Sequence, residues 1–354
     1  MNPFDEYAWA NRGDMLLSKG RLDEAERSFE RQIEIAPLRP WAYRSLGTLR
    51  MGQLRFREAR ELLERATSTD PSHAWTWLQL AWVSIQDGRA EEGRAAASKA
   101  RTLDTSPHVQ LAAATTIAQG PYVAEAGAWA EAVLPSLVAR LDGLAPDKMA
   151  VWDVTFAAML AESWRLRGTA SLEAGRLEEA ERFLGPAWDW SFLPEAAVAL
   201  ARLRETQGRK EEGHRILARD AAVPGWPNNP ALKALQKAVP DPTRRESLIE
   251  GGKADLLKGR TRTLNGPPAG AVALDVLLFV DARGRLAKVT SVTPAGEKTL
   301  ARLRPRLTGL DLGLAWADGP GHPHVRRGAI GCSSASPCAL VLDLPPGPTF
   351  PAAP

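Results

Sequence analysis

One feature limits what this chain can fold into more than any other: it repeats itself with a period of 34 residues. Trp9, Tyr43 and Trp77 stand 34 apart, as do Gly13 and Gly47, then Ala25, Ala59 and Gly93, then Pro37 and Pro71. Gly20 and Gly88 are two periods apart. Within a unit, apolar residues recur at helical spacing, as in Ala25, Phe29 and Ile33. Small residues in the first segment (Gly13, Gly47, Ala81) and in the second (Ala25, Ala59, Gly93) let two antiparallel helices approach closely. Gly20 and Gly88 can take the left-handed conformation that ends a first helix. Pro37 and Pro71 stop the second. Helix pairs of this kind stack on their neighbours into a solenoid with a concave face.

A second block keeps the pattern. Trp164, Gly168, Gly175 and Ala180 have the spacings of Trp9, Gly13, Gly20 and Ala25, and Gly208 and Gly213 follow Gly175 and Ala180 by 33. Residues 108–160 are Ala-rich and off-register; they predict helices at about 108–118 and 122–141, a polar turn at LDGLAPDK, and a helix from about 148. The landmark set resembles the tetratricopeptide repeat (TPR). It implies a mainly α fold: a TPR-type α-solenoid of about five repeats with a divergent helical middle, then a small α+β domain. The expected segments are 1–107 for repeats one to three, 108–160 for divergent linker repeats and 161–225 for repeats four and five. A linker with helix follows at 226–260, and the small α+β domain at 261–354.

In such repeats the second, fifth, ninth and twelfth positions of the first helix look into the groove. Here those are Tyr7, Ala10, Asp14 and Leu17; Trp41, Arg44, Thr48 and Met51; Trp75, Leu78, Trp82 and Ile85. Tyr7, Asp14, Trp41, Arg44, Thr48, Trp75 and Trp82 are therefore candidate residues for binding an extended or helical peptide. The alternative for the rings is packing between helices. Chaperone-binding members of the family hold a C-terminal carboxylate with Lys, Asn and Arg; Ala10, Asp14, Ser45, Trp75 and Gln79 stand at those positions. That ligand is not expected.

After Gly259 the helical pattern stops. AVALDVLLFV (271–280) reads as a buried strand, DARGR as a turn and LAKVTSV (286–292) as its hairpin partner. GEKTLARLRPRL reads as a short helix, GLDLGLAW as another strand, and VRRGAIGC and CALVLDL as a further pair, in the order β-β-α-β-β-β. Cys332 and Cys338 flank SSASP and can form a disulfide across that turn. Reduced structural thiols and metal or redox chemistry are the other readings. His322 and His324 are too far along the strand from Cys332 to share an ion with it, at roughly 3.3 Å per residue.

Charge and motifs remove several function classes. Lys and Arg exceed Asp and Glu by 45 to 42, so bulk nucleic-acid binding is not expected. No apolar run reaches the length of a membrane span, and no signal peptide is visible. Nucleophile elbow, Walker loop, dinucleotide fingerprint, H-E-x-x-H and C-x-x-C are all missing, so neither catalysis nor a cofactor or metal is expected.

The first repeats, the later ESWRLRGTASLEAGRLEEAERFL and the ending VRRGAIGCSSASPCALVLDLPP resemble the C-terminal half of bacterial transglutaminase-like TPR envelope proteins. The catalytic core of that family is missing, so its catalysis does not carry over. The resemblance implies a fragment or a stand-alone relative, and the start so close to repeat one favours a fragment or a partner-covered end. The leading expectation is a non-enzymatic scaffold or adaptor that binds a protein or peptide partner through an aromatic groove. The alternatives are the scaffold half of a transglutaminase-like envelope enzyme and a structural subunit of a larger assembly. The expected compartment is the bacterial cytoplasm if Met1 is the true start, and the periplasm or cell envelope if the chain is a fragment with bridged cysteines.

Overall fold

The computed structural model describes residues 5–190, 193–223, 229–266, 272–314, 316–317, 321–332 and 337–342. The chain divides into two compact units, Met1–Ala130 and Glu131–Pro354.

The first unit is helical. Its elements are α1 (Glu6–Ser18), α2 (Leu22–Ile35), α3 (Pro40–Gly52), α4 (Phe56–Thr69), α5 (Ala74–Gln86), α6 (Ala90–Leu103), α7 (Pro107–Ile117) and the start of α8 (Val123–Asp142). Each 34-residue period forms one helix pair. Close approach is visible at Gly13, where an added Cβ would stand 2.3 Å from a ring carbon of Phe29. The turn positions Gly20 (φ +70°) and Gly88 (φ +81°) are left-handed. In repeat two the same place holds Leu54, with φ 60°, at a cost of about 1–2 kcal/mol. The landmark aromatics have a further role. The Tyr43 hydroxyl donates to the Pro37 carbonyl at 3.0 Å, and Trp77 Nε1 donates to the Pro71 carbonyl at 2.9 Å. Ring and proline share a period because each ring ties down the exit of the helix pair before it.

The second unit follows two short 3-10 turns with α9 (Val154–Glu173), α10 (Leu177–Trp190), α11 (Pro194–Thr206), α12 (Lys210–Ala221), α13 (Pro230–Ala238) and α14 (Pro242–Arg260). Then come β1 (Thr261–Thr263), β2 (Val272–Val280), β3 (Leu286–Ser291), α15 (Glu297–Leu307), β4 (His324–Cys332) and β5 (Ala339–Leu342). The expected helix from about 148 begins six residues later, at Val154. The five strands form an antiparallel sheet in the order β1-β5-β4-β2-β3.

Two expectations for this end need correction. GLDLGLAW is not a strand among the described residues; it makes one bridge, Asp311 to Arg285. Gly309 and Gly313 have φ +77° and +59°, which turns the backbone out of the extended region, while Leu312 still reaches the core. The sheet instead gains β1, three residues at the exit of α14 that pair with β5. The order is therefore β-β-β-α-β-β. A segment as short and polar as Thr-Arg-Thr carries no strand signal of its own; the partner strand creates it.

From Val276 to Val280 β2 is buried on both faces. Val276, Leu278 and Val280 pack with Leu300, Leu303 and Leu307 of α15. Leu277 and Phe279 pack on the other side with Val325, Met149 and Val154. Two covered faces explain why this strand reads as a continuous apolar run and not as an alternation. Cys332 and Cys338 are bridged, with Cα atoms 4.2 Å apart.

Candidate functional site

The first helices of successive pairs in the first unit lie side by side. Gln79 of α5 donates to the Thr48 hydroxyl of α3 at 2.8 Å, and Arg39, just before α3, pairs with Glu6 of α1 at 2.9 Å. On this face the second position of each helix is open: Tyr7 is 65% exposed, Trp41 47% and Trp75 44%. Asp14 and Thr48 are exposed too. The fifth positions differ, since Ala10 and Leu78 are buried and Arg44 is half-buried. Trp82 is half-buried, with its ring edge-on to Phe56 at 5.6 Å.

Arg44 is the electrostatic centre of the face. Its guanidinium lies over the Trp41 ring, 4.4 Å from the centroid. It has no hydrogen bond or ion pair among the described residues. Burial lowers its basicity, and the carboxylates of Asp70 and Asp14 partly restore it. Burial also holds the Asp14 carboxyl above its usual range against the pull of Arg44. The His73 imidazole is held low by burial and by Arg44, and it caps α5 by accepting from the Thr76 amide. Tyr7, Trp41, Trp75, Asp14, Arg44 and Thr48 are thus laid along one row of helices. Trp82 packs further in.

The second unit presents other chemistry at the same register. α11 begins 154 residues after α3, so Val198, Arg202 and Glu205 stand where Arg44, Thr48 and Met51 stand. These three line a cavity of about 500 Å³ with His214, Ala234 and Lys237. Among the described residues no Phe, Tyr or Trp lines it.

Two devices went unread in the sequence. The first is a buried arginine used twice. Arg50 bonds Glu26, Gln53 and Glu58, and Arg204 bonds Glu181, Gln207 and Glu212. Its signal was available: Gln three and Glu eight residues after each Arg. The second is an aromatic cage around His324. Trp164, Trp190 and Trp316 meet edge-to-face with centroids 4.7–5.9 Å apart, and the His324 ring lies 4.6 Å from that of Trp190. His324 Nδ1 donates to the His322 carbonyl at 3.0 Å. Burial, with the Arg326 charge, pushes the pKa of His324 down to about 3, so the ring is neutral near pH 7. His324 opens β4 and Cys332 closes it, which puts them at opposite ends of the strand. Among the described residues no group of three or more His, Cys, Asp or Glu side chains is placed to hold a metal ion. Among the described residues no helix is long and apolar enough to cross a membrane.

Residues 6–37 and 50–115 match tetratricopeptide repeat models. The chain carries tetratricopeptide repeats. A solved TPR protein from Parabacteroides merdae is 14% identical, covers 68% of this chain and 86% of its own length, and superposes with a TM-score of 0.51. YrrB, described as a TPR protein with an unusual peptide-binding site, is 17% identical over 54% of this chain and 88% of its own, with a TM-score of 0.41. An O-GlcNAc transferase from Thermobaculum terrenum is 20% identical over 39% of this chain and 27% of its own, with a TM-score of 0.35. No curated protein matches the chain. At these identities the likeness concerns the fold alone.

Proposed function

We propose that this chain is a non-enzymatic TPR scaffold that binds a protein or peptide partner on the first-helix face of its N-terminal repeats. The observation that carries this reading is the recurrence of exposed rings, Tyr7, Trp41 and Trp75, at one position of three successive pairs. A ring left in water at one site is unremarkable, but the same position left open three times is the layout of a binding row. Asp14, Arg44 and Thr48 supply its polar contacts. The test is partner capture by the wild-type chain and by the Tyr7→Ala, Trp41→Ala, Trp75→Ala triple variant. Loss of the captured partner is expected, and unchanged recovery overturns the reading. The bridged Cys332 and Cys338 favour an oxidising compartment. Titration of the purified, unreduced chain should find no reactive thiol, and two thiols per chain would point to a reducing one.

A further inference from the structure

We infer that the row of rings takes a segment in the polyproline II conformation, proline-rich and near-neutral, supplied by another protein chain. This rests on the peptide-binding reading above and deepens it.

The first argument is spacing. The rings sit at residues 7, 41 and 75, one on each of three neighbouring helices, and packed helices lie about 8–10 Å apart. A polyproline II chain advances about 3.1 Å per residue with three residues per turn, so one edge recurs about every 9.3 Å. Every third residue then meets a ring, and the match holds over successive repeats. A β-strand presents one face at about twice 3.3 Å and falls out of step after one ring. The row also extends: His108, at the second position of α7, is exposed.

The second argument is hydrogen-bonding sign. The face carries donors that no protein acceptor meets. The Trp41 and Trp75 indole N–H groups have no acceptor among the described residues, and neither does the Arg44 guanidinium over Trp41. A polyproline II segment has no internal hydrogen bonds, so its carbonyls are open acceptors, and its prolines bring no N–H donors. An α-helix has already used its carbonyls and answers none of these donors. Charge agrees. Arg44 is balanced by Asp14 and Asp70, so the face selects neither a strongly acidic nor a strongly basic segment. Planar rings also suit the flat pyrrolidine faces of a preformed helix that loses little entropy on docking.

The test uses the full chain and three fluorescein-labelled twelve-residue peptides of equal net charge. One is built of Pro-Pro-Leu triplets, one has every proline replaced by alanine, and one is Gly-Ser. Fluorescence anisotropy should show saturable binding of the proline peptide alone. Trp41→Ala and Trp75→Ala should each weaken it about tenfold, with the melting curve of the variants confirming that they fold. Absence of proline-peptide binding, binding that ignores both substitutions, or equal binding of the alanine peptide overturns the inference. Selection from a random peptide library, repeated on the triple variant, separates the two levels. Binders that need the rings but lack proline leave the scaffold reading standing and remove this one. If no selected peptide depends on the rings, both fall.

Discussion

Trp41 and Trp75 of the first unit and Trp164 and Trp190 of the second have opposite fates. In the first unit Trp41 and Trp75 stand about half in water, with no ring stacked on either among the described residues. In the second, Trp164 is fully buried and Trp190 4% exposed, and with Trp316 they form the cage in which His324 sits. The second unit has a sheet to receive its rings: Arg326 of β4 donates to the Trp190 carbonyl at 3.1 Å, and Arg182 of α10 donates to the Ala317 carbonyl at 2.7 Å. The difference teaches that one residue type serves two ends in one chain. Where a second layer of structure meets the repeats, tryptophan is cement. Where none does, Trp41 and Trp75 stay half in water.

Four substitutions press on that contrast, from the largest effect to the smallest. Trp190→Ala empties the cage and should cost about 3–5 kcal/mol, read by urea denaturation. A loss below 1 kcal/mol would mean that the cage does not hold the sheet. Next come Arg50→Ala and Arg204→Ala, expected to cost about 1–2 kcal/mol each, since each removes a buried guanidinium from partly exposed carboxylates. These losses should depend on pH. The arginines hold the Glu26 and Glu181 carboxyls below their usual value of 4.5. A lowered folded-state pKa contributes stability above the unfolded value, and that contribution is lost as pH falls through the folded one. Variant and wild type should therefore differ most near neutral pH and converge in acid. A gap that persists at pH 3 would assign the loss to packing.

Leu54→Gly should stabilise the first unit by about 1 kcal/mol, because glycine takes φ 60° without strain. A lower melting temperature would show that the leucine side chain contributes more than the backbone costs. Smallest of all, Trp41→Ala and Trp75→Ala should each change stability by less than about 1 kcal/mol. A larger loss would turn these rings into cement too and remove the contrast.

Much of the fold was legible because repeats announce themselves. Gly13, Gly20, Pro37 and their equivalents mark close approach, turn and stop, and each does that work locally. The strands at 272–280 and 286–291 were legible for the same reason, as β-rich runs around a turn. β1 was not, because Thr261–Thr263 is a strand only through its pairing with β5. GLDLGLAW misled because its leucines alternate like a strand's while its glycines turn the chain. At the candidate site helical register put Tyr7, Trp41 and Trp75 at one position of successive helices, while their exposure came only with the structure. The depth of Trp82 did not, since Phe56 of α4 covers it. The matched sets around Arg50 and Arg204 escaped notice because Glu26 and Glu181 come from the preceding helix pair, more than twenty residues away.

By itself, the sequence determined the period, the helix pairs, their turns and the row of positions that face one way, because these depend on spacing within about one repeat. The tertiary structure alone decided which rings on those helices stay wet and which are sealed. Exposure belongs to a side chain's neighbours, and the neighbours of Trp164 and Trp190 include the sheet strand that begins at His324.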